Sequence, residues 1–504
     1  MEITLIYSSY NNMRSIRAEV PLGVAYIASS LRNVGYKVNF IDLRFDDIQL
    51  VEDIIDQTDI FGISSLTAMM DRAIEVLQRI KRKRPNVPVI IGGPHATLEF
   101  EDCLRKGFDY AVIGEGDRTI CSLAKVIYDG GDISIVSDVA YRDSYGQICY
   151  KAGEKFIQNL DDVTFPSHDL INYEKYFDYF AGYEKIMPMP IVASRGCPGK
   201  CIYCQPTLQK LMGKKIRTRS PGNTAGEMRI LDEIRMNLVK NYHRKIHDFY
   251  DLKFGFRDDT LTFNKTVWFE ELKEELLKRN IQARWSCQGR ADFINKEKLS
   301  KMYEAGLRHL SIGVESGSRK ILDYYKKGVR LEQVEMVFAY AKELNITTTA
   351  SIMLGAPVET KDDLKLTYKF LKKIKPTHIG LCLVHPLPGT ALYEEVKREG
   401  IYNIPQESSY LYYDCTLYTI LKEHTQDKGF IQYRKHMPIN LKYLTYNEVE
   451  YWYTGLKRLD KMNRRIRKLK VALRNPVEML YIIRRTFEIL YTYIKRKFGR
   501  FSKQ

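Results

Sequence analysis

The segment Ser194-Arg-Gly-Cys197-Pro-Gly-Lys-Cys201-Ile-Tyr-Cys204 carries three cysteines with three and then two residues between them. Three thiolates on one tight loop suit three corners of a 4Fe–4S cube and leave the fourth iron open, since thiolate is the usual protein ligand of such clusters. Gly196 and Gly199 let the loop bend around its load. A zinc ion would want a fourth Cys or His at short spacing, and none follows. Three simply buried thiols are the other alternative. The remaining cysteines, Cys103, Cys121, Cys149, Cys287, Cys382 and Cys415, are scattered. An odd total of nine in a long chain argues against a disulfide framework and for a reducing cytoplasm.

The cysteine loop directly follows an apolar run, Ile191–Ser194, which opens an alternating array. Further strands are predicted to end near Phe256 and to cover Ala283–Cys287, His309–Val314, Thr347–Leu354 and Ile379–Val384. Helices are predicted at about 224–239, 266–279, 296–305, 331–344, 361–373 and 390–399. Six βα units are too few for the usual eight-unit barrel but enough for an open, partial one. Ahead of this array, short apolar runs at Ile3–Tyr7, Val38–Ile41, Ile60–Ser64, Val87–Ile91 and Tyr110–Ile113 alternate with helical patterns at 21–34, 67–84, 97–106 and 117–129. Continuous apolar strands alternating with helices predict a doubly wound α/β parallel sheet. Ligands bind beyond the carboxyl ends of such strands, where Gly92-Gly93 and Gly114-Glu115-Gly116 fall. The expected organisation is a parallel-sheet domain over 1–135, a linker with a hairpin over 136–185, a partial (β/α)6 barrel over 186–400, and a Tyr-rich, then basic helical region over 401–504.

Over about residues 187–400 the chain resembles the radical S-adenosylmethionine (SAM) superfamily, on the strength of the three-cysteine motif. The resemblance implies that the open iron chelates the methionyl amine and carboxylate of SAM, and that reductive cleavage yields a 5′-deoxyadenosyl radical. It also implies an external electron donor of the flavodoxin or ferredoxin type. Tyr203 matches the aromatic that packs on adenine. Glu315, in Gly313-Val-Glu-Ser, looks like a polar SAM contact, and Arg290 like a partner for the methionine carboxylate. Gly355 would leave room for adenine. Asp258-Asp259 resembles a recurring acidic pair at a strand end. Capping or surface ion pairing is the alternative for each.

The first domain resembles cobalamin-binding domains, whose pattern runs Asp-x-His-x-x-Gly, Ser-x-Leu, Gly-Gly. Here Ser64-Ser65-Leu66 is followed after 25 residues by Gly92-Gly93, and Gly23 is in register with the glycine of the first motif. The aspartate and histidine positions are then Ala18 and Val20. The frame is present without its lower-axial histidine, which implies cobalamin bound base-off and His-off. His95 is a candidate substitute ligand or a polar loop contact. Gly114, Glu115 and Gly116 complete the predicted cobalamin set. The order of the two domains, with Pro386-Leu-Pro388-Gly-Thr390 at the last strand's end, is similar to the cobalamin-dependent radical SAM class. That resemblance implies methylation of an unactivated carbon. A radical cyclase or other lipid- or carbon-skeleton-modifying enzyme with the same cofactors is the alternative, and a non-catalytic cobalamin or redox sensor a third.

Charge bears on location more than on chemistry. The 504 residues carry a formal charge of +17. Residues 460–504 hold 14 Lys and Arg against 3 Asp and Glu, so about two thirds of the excess sits in the last 45 residues. Leu480, Ile483, Phe487, Leu490, Ile494 and Phe498 fall at helical spacing among basic residues, as in a helix lying on an anionic membrane or docking its apolar stripe on the barrel. The expectation is a cytoplasmic protein acting on a small-molecule or lipid substrate, with peripheral contact at the inner membrane face through 460–504. No recognised nucleic-acid motif is present and no nucleic acid is expected. No run of about 18 or more apolar residues occurs, so no transmembrane helix is expected, and the opening Met-Glu-Ile-Thr-Leu-Ile-Tyr reads as a short strand, so no signal peptide is expected.

Overall fold

The computed structural model describes residues 1–9, 19–153, 156–181, 187–241, 252–403 and 439–472. A first sheet of seven strands has the order β2-β1-β3-β4-β5-β6-β7. Its strands are β1 (Glu2–Tyr7), β2 (Lys37–Asp42), β3 (Ile60–Ser64), β4 (Val89–Gly92), β5 (Tyr110–Val112), β6 (Val139–Arg142) and β7 (Ile148–Lys151). β1 to β5 run parallel. Helices cover both faces, so the strands are apolar throughout rather than alternating. Helix Met70–Lys83 buries Met70, Ala73, Val76, Leu77 and Ile80, the three- and four-residue spacing of one face.

The hairpin expected within the linker belongs to this sheet. β6 pairs antiparallel with β5, Ala111 opposite Ala140, and β7 continues the edge. Asp143 Oδ1 accepts the N–H groups of Tyr145 and Gln147, which closes the turn.

The second sheet is wholly parallel, in the order β15-β14-β13-β12-β11-β8. Its strands are β8 (Met189–Ile191), β11 (Phe254–Phe256), β12 (Trp285–Gly289), β13 (Leu307–Glu315), β14 (Thr347–Leu354) and β15 (His378–Leu383). Leu310, Ile312, Ala350, Ile352, Ile379 and Leu381 point outward into the core under the helices. The first strand starts and stops two or three residues earlier than the apolar run suggests. Asp258 Oδ1 accepts the Ala193 N–H at 3.1 Å. The chain then forms β9 (Ser194–Arg195), paired antiparallel with β10 (Arg217–Thr218).

Helix Tyr446–Ala472 packs on β15. It buries Val449, Tyr453, Leu456 and Leu459, and its Asp460 carboxylate accepts the Ile379 N–H at 2.8 Å. Among the described residues no helix is long and apolar enough to cross a membrane. The apolar pattern from Leu480 to Phe498 and the Tyr-rich stretch at 410–418 lie outside the described residues.

Candidate functional site

The cysteine loop leaves the sheet at β9 and is held from several sides. Cys197 N–H donates to Gly213 O, and Gln209 Nε2 donates to Gly199 O. Gly196 has φ 103°, and a Cβ there would lie 2.4 Å from Lys215 O, so only glycine fits. Cys197 and Cys201 are buried and Cys204 nearly so. Thr260 Oγ1 donates to Cys197 Sγ and Arg290 Nη1 to Cys201 Sγ, each at 3.5 Å. Burial, then the neighbouring Cys201 and Cys197 thiols, push the Cys204 thiol up to about 12. A cationic partner reverses that preference. Among the described residues no three His, Cys, Asp or Glu side chains converge on one metal ion. A four-iron cube makes a different demand, one sulfur at each of three corners, and these buried thiols with donors aimed at two of them fit it.

Beside the loop, Lys327 Nζ donates to Glu315 Oε1 at 2.7 Å and to Tyr203 Oη at 3.2 Å, and Tyr203 Oη donates to Glu315 Oε1 at 3.2 Å. Lys327 and Glu315 are both buried. Glu315 ends β13 at φ 62°, after a register shift from Gly313. A Cβ at Gly313 would meet Glu315 Oε1 at 2.5 Å and Lys327 Nζ at 2.8 Å. Lys327 carries no motif; it follows Tyr-Tyr-Lys and was not legible in advance. Arg290 spans Asp292, Lys327 O and Cys201, so its guanidinium lies against the loop. Gly355, at φ 92°, follows β14 and donates its N–H to Glu359 Oε2 at 2.6 Å.

The acidic pair divides. Asp258 is buried, with Oδ1 accepting from Ala193 N–H and Ser194 Oγ. Burial pushes its carboxyl up to about 7. Through Oδ1 it shapes the strand end. Asp259 accepts the Gly196 N–H at 3.1 Å and reaches a cavity between the two units.

That cavity, about 370 Å³, lies at the carboxyl ends of β1, β3, β4 and β5. Gly23, Ser64, Leu66, Gly92, Gly93, Gly114, Glu115 and Gly116 line one side; Ser194, Arg195, Arg257 and Asp259 line the other. A Cβ at Gly23 would meet nothing within 4 Å, whereas one at Gly93, at φ 92°, would press on Ser64 Oγ and Ser65 O at 3.2 Å. At Gly23 bare backbone thus forms the wall, which suits close approach of a large ligand, while Gly93 is required by its own backbone conformation and packing. His95 is buried outside it, with Nδ1 3.2 Å from Thr67 Oγ1 and Nε2 3.9 Å from Asp102. Val20 is buried and Ala18 lies outside the described residues.

The Glu115 side chain has a second task. Arg217 clasps it through two bonds of 2.8 and 2.7 Å. Arg195 clasps Asp117 at 2.9 and 3.2 Å and approaches Glu115 at 3.4 Å. All four side chains are largely buried. One turn of the first sheet is thereby clamped to β9 and β10, beside the cysteine loop. Arg195 sits inside the cysteine segment and Glu115 among the predicted cobalamin residues, but nothing in the sequence pairs them, and Arg217 carries no motif at all.

A B12 binding domain model matches residues 18–124, and a Radical SAM superfamily model matches residues 191–371. An uncharacterized methyltransferase of Pyrococcus horikoshii is 30% identical over 385 residues, 74% of this chain and 78% of that protein. An anaerobic magnesium-protoporphyrin IX monomethyl ester cyclase of Rubrivivax gelatinosus is 29% identical, over 79% of this chain and 70% of that protein. Among solved structures, the cobalamin-dependent SAM radical enzyme OxsB, with aqua-cobalamin and SAM bound, superposes with a TM-score of 0.70 at 17% identity, covering 97% of this chain and 75% of that one. The radical SAM methyltransferase TsrM of Kitasatospora setae, with cobalamin and a 4Fe–4S cluster bound, gives 0.64 at 16%, covering 80% and 76%. Both show the shared fold.

Proposed function

This chain belongs to the cobalamin-dependent radical SAM enzymes, and on that premise we propose that it methylates an unactivated carbon of its substrate. The observation that carries the reading is a cavity walled by both units that reaches, through Asp259, the glycine preceding Cys197. When bound, the cluster with SAM supplies a carbon-centred radical by reductive cleavage, and cobalamin supplies the methyl group. Cys197, Cys201 and Cys204 hold the cluster, with Thr260 and Arg290 donating to the sulfurs. Tyr203, Glu315 and Lys327 form a buried polar set for SAM, and Arg290 holds its carboxylate. Gly355, just past the end of β14, would leave room for adenine. Asp258 positions Ser194 and Asp259 positions Gly196. Gly23, Ser64, Leu66, Gly92, Gly93 and the 114–116 turn cradle cobalamin and exclude water.

Anaerobic reconstitution with both cofactors, followed by mass spectrometry, tests this. A gain of one CH₂ supports methyl transfer. A loss of hydrogen without CH₂ supports the cyclase reading, to which the 29% identity with a named cyclase lends weight. Cys201→Ala should abolish deoxyadenosine formation; retained cleavage would sink the cluster assignment. The position of His95 outside the cavity wall supports base-off, His-off cobalamin, and nitrogen superhyperfine coupling in the cobalt EPR spectrum would reject it. Reducing power comes from a flavodoxin- or ferredoxin-type donor: omitting that donor and all chemical reductant should stop SAM cleavage. The basic stretch 460–504 favours peripheral contact with an anionic membrane, and a full-length protein that fails to float with anionic liposomes would end that idea.

A further inference from the structure

Arg257 stands at the carboxyl end of β11, where its N–H donates to Ile191 O at 2.8 Å. Its side chain is exposed and lines the cavity between the units. Among the described residues its guanidinium has no carboxylate or hydrogen-bond partner, whereas the nearby Arg195, Arg217, Arg219 and Arg290 each grip a carboxylate. Gly255, two residues earlier on the same face, puts no side chain beside it, although a Cβ there would sit at ordinary contact distance, 3.7 Å from Arg257 Cζ and 3.6 Å from Ser286 Oγ. An unpaired guanidinium over a bare stretch of sheet is a ready seat for a planar or tetrahedral oxyanion.

The floor leading away from it is polar. Ser286 and Gln288 on β12 share this inner face. On the neighbouring strands Ser311 Oγ lies 3.4 Å from Ser351 Oγ, and His309 bonds Thr347 and Thr349 at 2.7 and 3.1 Å. Gln288 and Gly380 are exposed along it, while the aliphatic residues of these strands face the opposite way into the core. The serine, threonine and histidine groups satisfy one another, so hydrocarbon laid on this face would strip water chiefly from the Gln288 amide and the Ser286 hydroxyl, which have no protein partner among the described residues.

We infer that the substrate is a water-soluble molecule rich in hydrogen-bonding groups, and that it places an oxyanion on Arg257. The inference rests on the methyl-transfer reading above and names the substrate class for that same site. The test uses holoenzyme loaded with cluster and cobalamin, methyl-labelled SAM, a reductant, and extract of the source cells divided into aqueous and chloroform-soluble fractions. The expected product carries the label in the aqueous fraction and is retained by an anion exchanger. Arg257→Gln should lower labelling at least tenfold with iron and cobalamin contents unchanged, and Arg257→Lys should restore part of it at a raised KM. Label in the chloroform fraction, or in an uncharged aqueous product, overturns this inference and leaves methyl transfer standing. Loss of cobalamin from Arg257→Gln also overturns it, since the guanidinium then serves the corrinoid. Label transferred to nothing overturns both readings.

Discussion

Asp258 shows how one buried carboxyl can serve structure beside a site of charge. Its Oδ1 takes two donors, while Oδ2 is buried without a partner among the described residues. A proton on Oδ2 relieves the cost of an unsatisfied anion, in keeping with a carboxyl pushed up to about 7 by burial. The consequence for stability has a definite sign. Between about pH 4, where an ordinary aspartate ionises, and about pH 7 the folded chain keeps a proton that the unfolded chain releases. Stability therefore declines as pH rises through that window. Asp258→Asn should remove the decline, so the unfolding free energy of the wild type, read from urea denaturation, should fall relative to the variant between pH 4 and pH 7, by at most about 4 kcal/mol. An unchanging difference would mean that Asp258 is ionised in the fold. The adjacent identical residues Asp258 and Asp259 were read as one pair; only their opposite directions across the strand end separate a structural acid from one that faces the cavity.

At the scale of elements, the end of β13 is where regular structure yields to the site. The register shift after Gly313 and the left-handed backbone at Glu315 turn its carboxylate back over the strand toward Lys327. Such a conformation costs a non-glycine residue about 1–3 kcal/mol, offset here by a buried ion pair. Gly313→Ala should drive a methyl group into that pair, weakening SAM binding about tenfold or more in equilibrium dialysis while iron content stays at three-cysteine stoichiometry. Undiminished SAM affinity would remove the pair from the binding set. The elements themselves were largely legible. Apolar runs read β1 and β3 almost to the residue, because strands buried on both faces must be apolar, and β14 is read from its β-branched residues although only every second one is buried. Legibility ended where backbone contacts decide. The break after Ile191 depends on Asp258, 67 residues on, and the bond from β6 to β5 is invisible in a hairpin that looks complete by itself. Lys327 was illegible for the same reason: its role comes from Gly313 and Glu315 lying across a bulge.

At the scale of the whole molecule, the clamp of Glu115 and Asp117 with Arg217 and Arg195 joins the two units at the wall of their shared cavity. Removing one partner of a buried pair leaves an uncompensated charge, at about 3–5 kcal/mol. Glu115→Gln should split thermal unfolding into two calorimetric transitions and speed proteolysis near 152–187, with addition of cobalamin partly restoring one transition. A single unshifted transition would show that other contacts carry the joint. The same four side chains bear on construction as well as chemistry. A barrel excised by itself would present two guanidinium groups to solvent beside its cysteine loop, and an excised first unit two bare carboxylates. Exchange of either half with a relative would then be a problem of matched charge: chimeras that transplant the 114–117 turn together with β9 and β10 should assemble, and those cut between them should not.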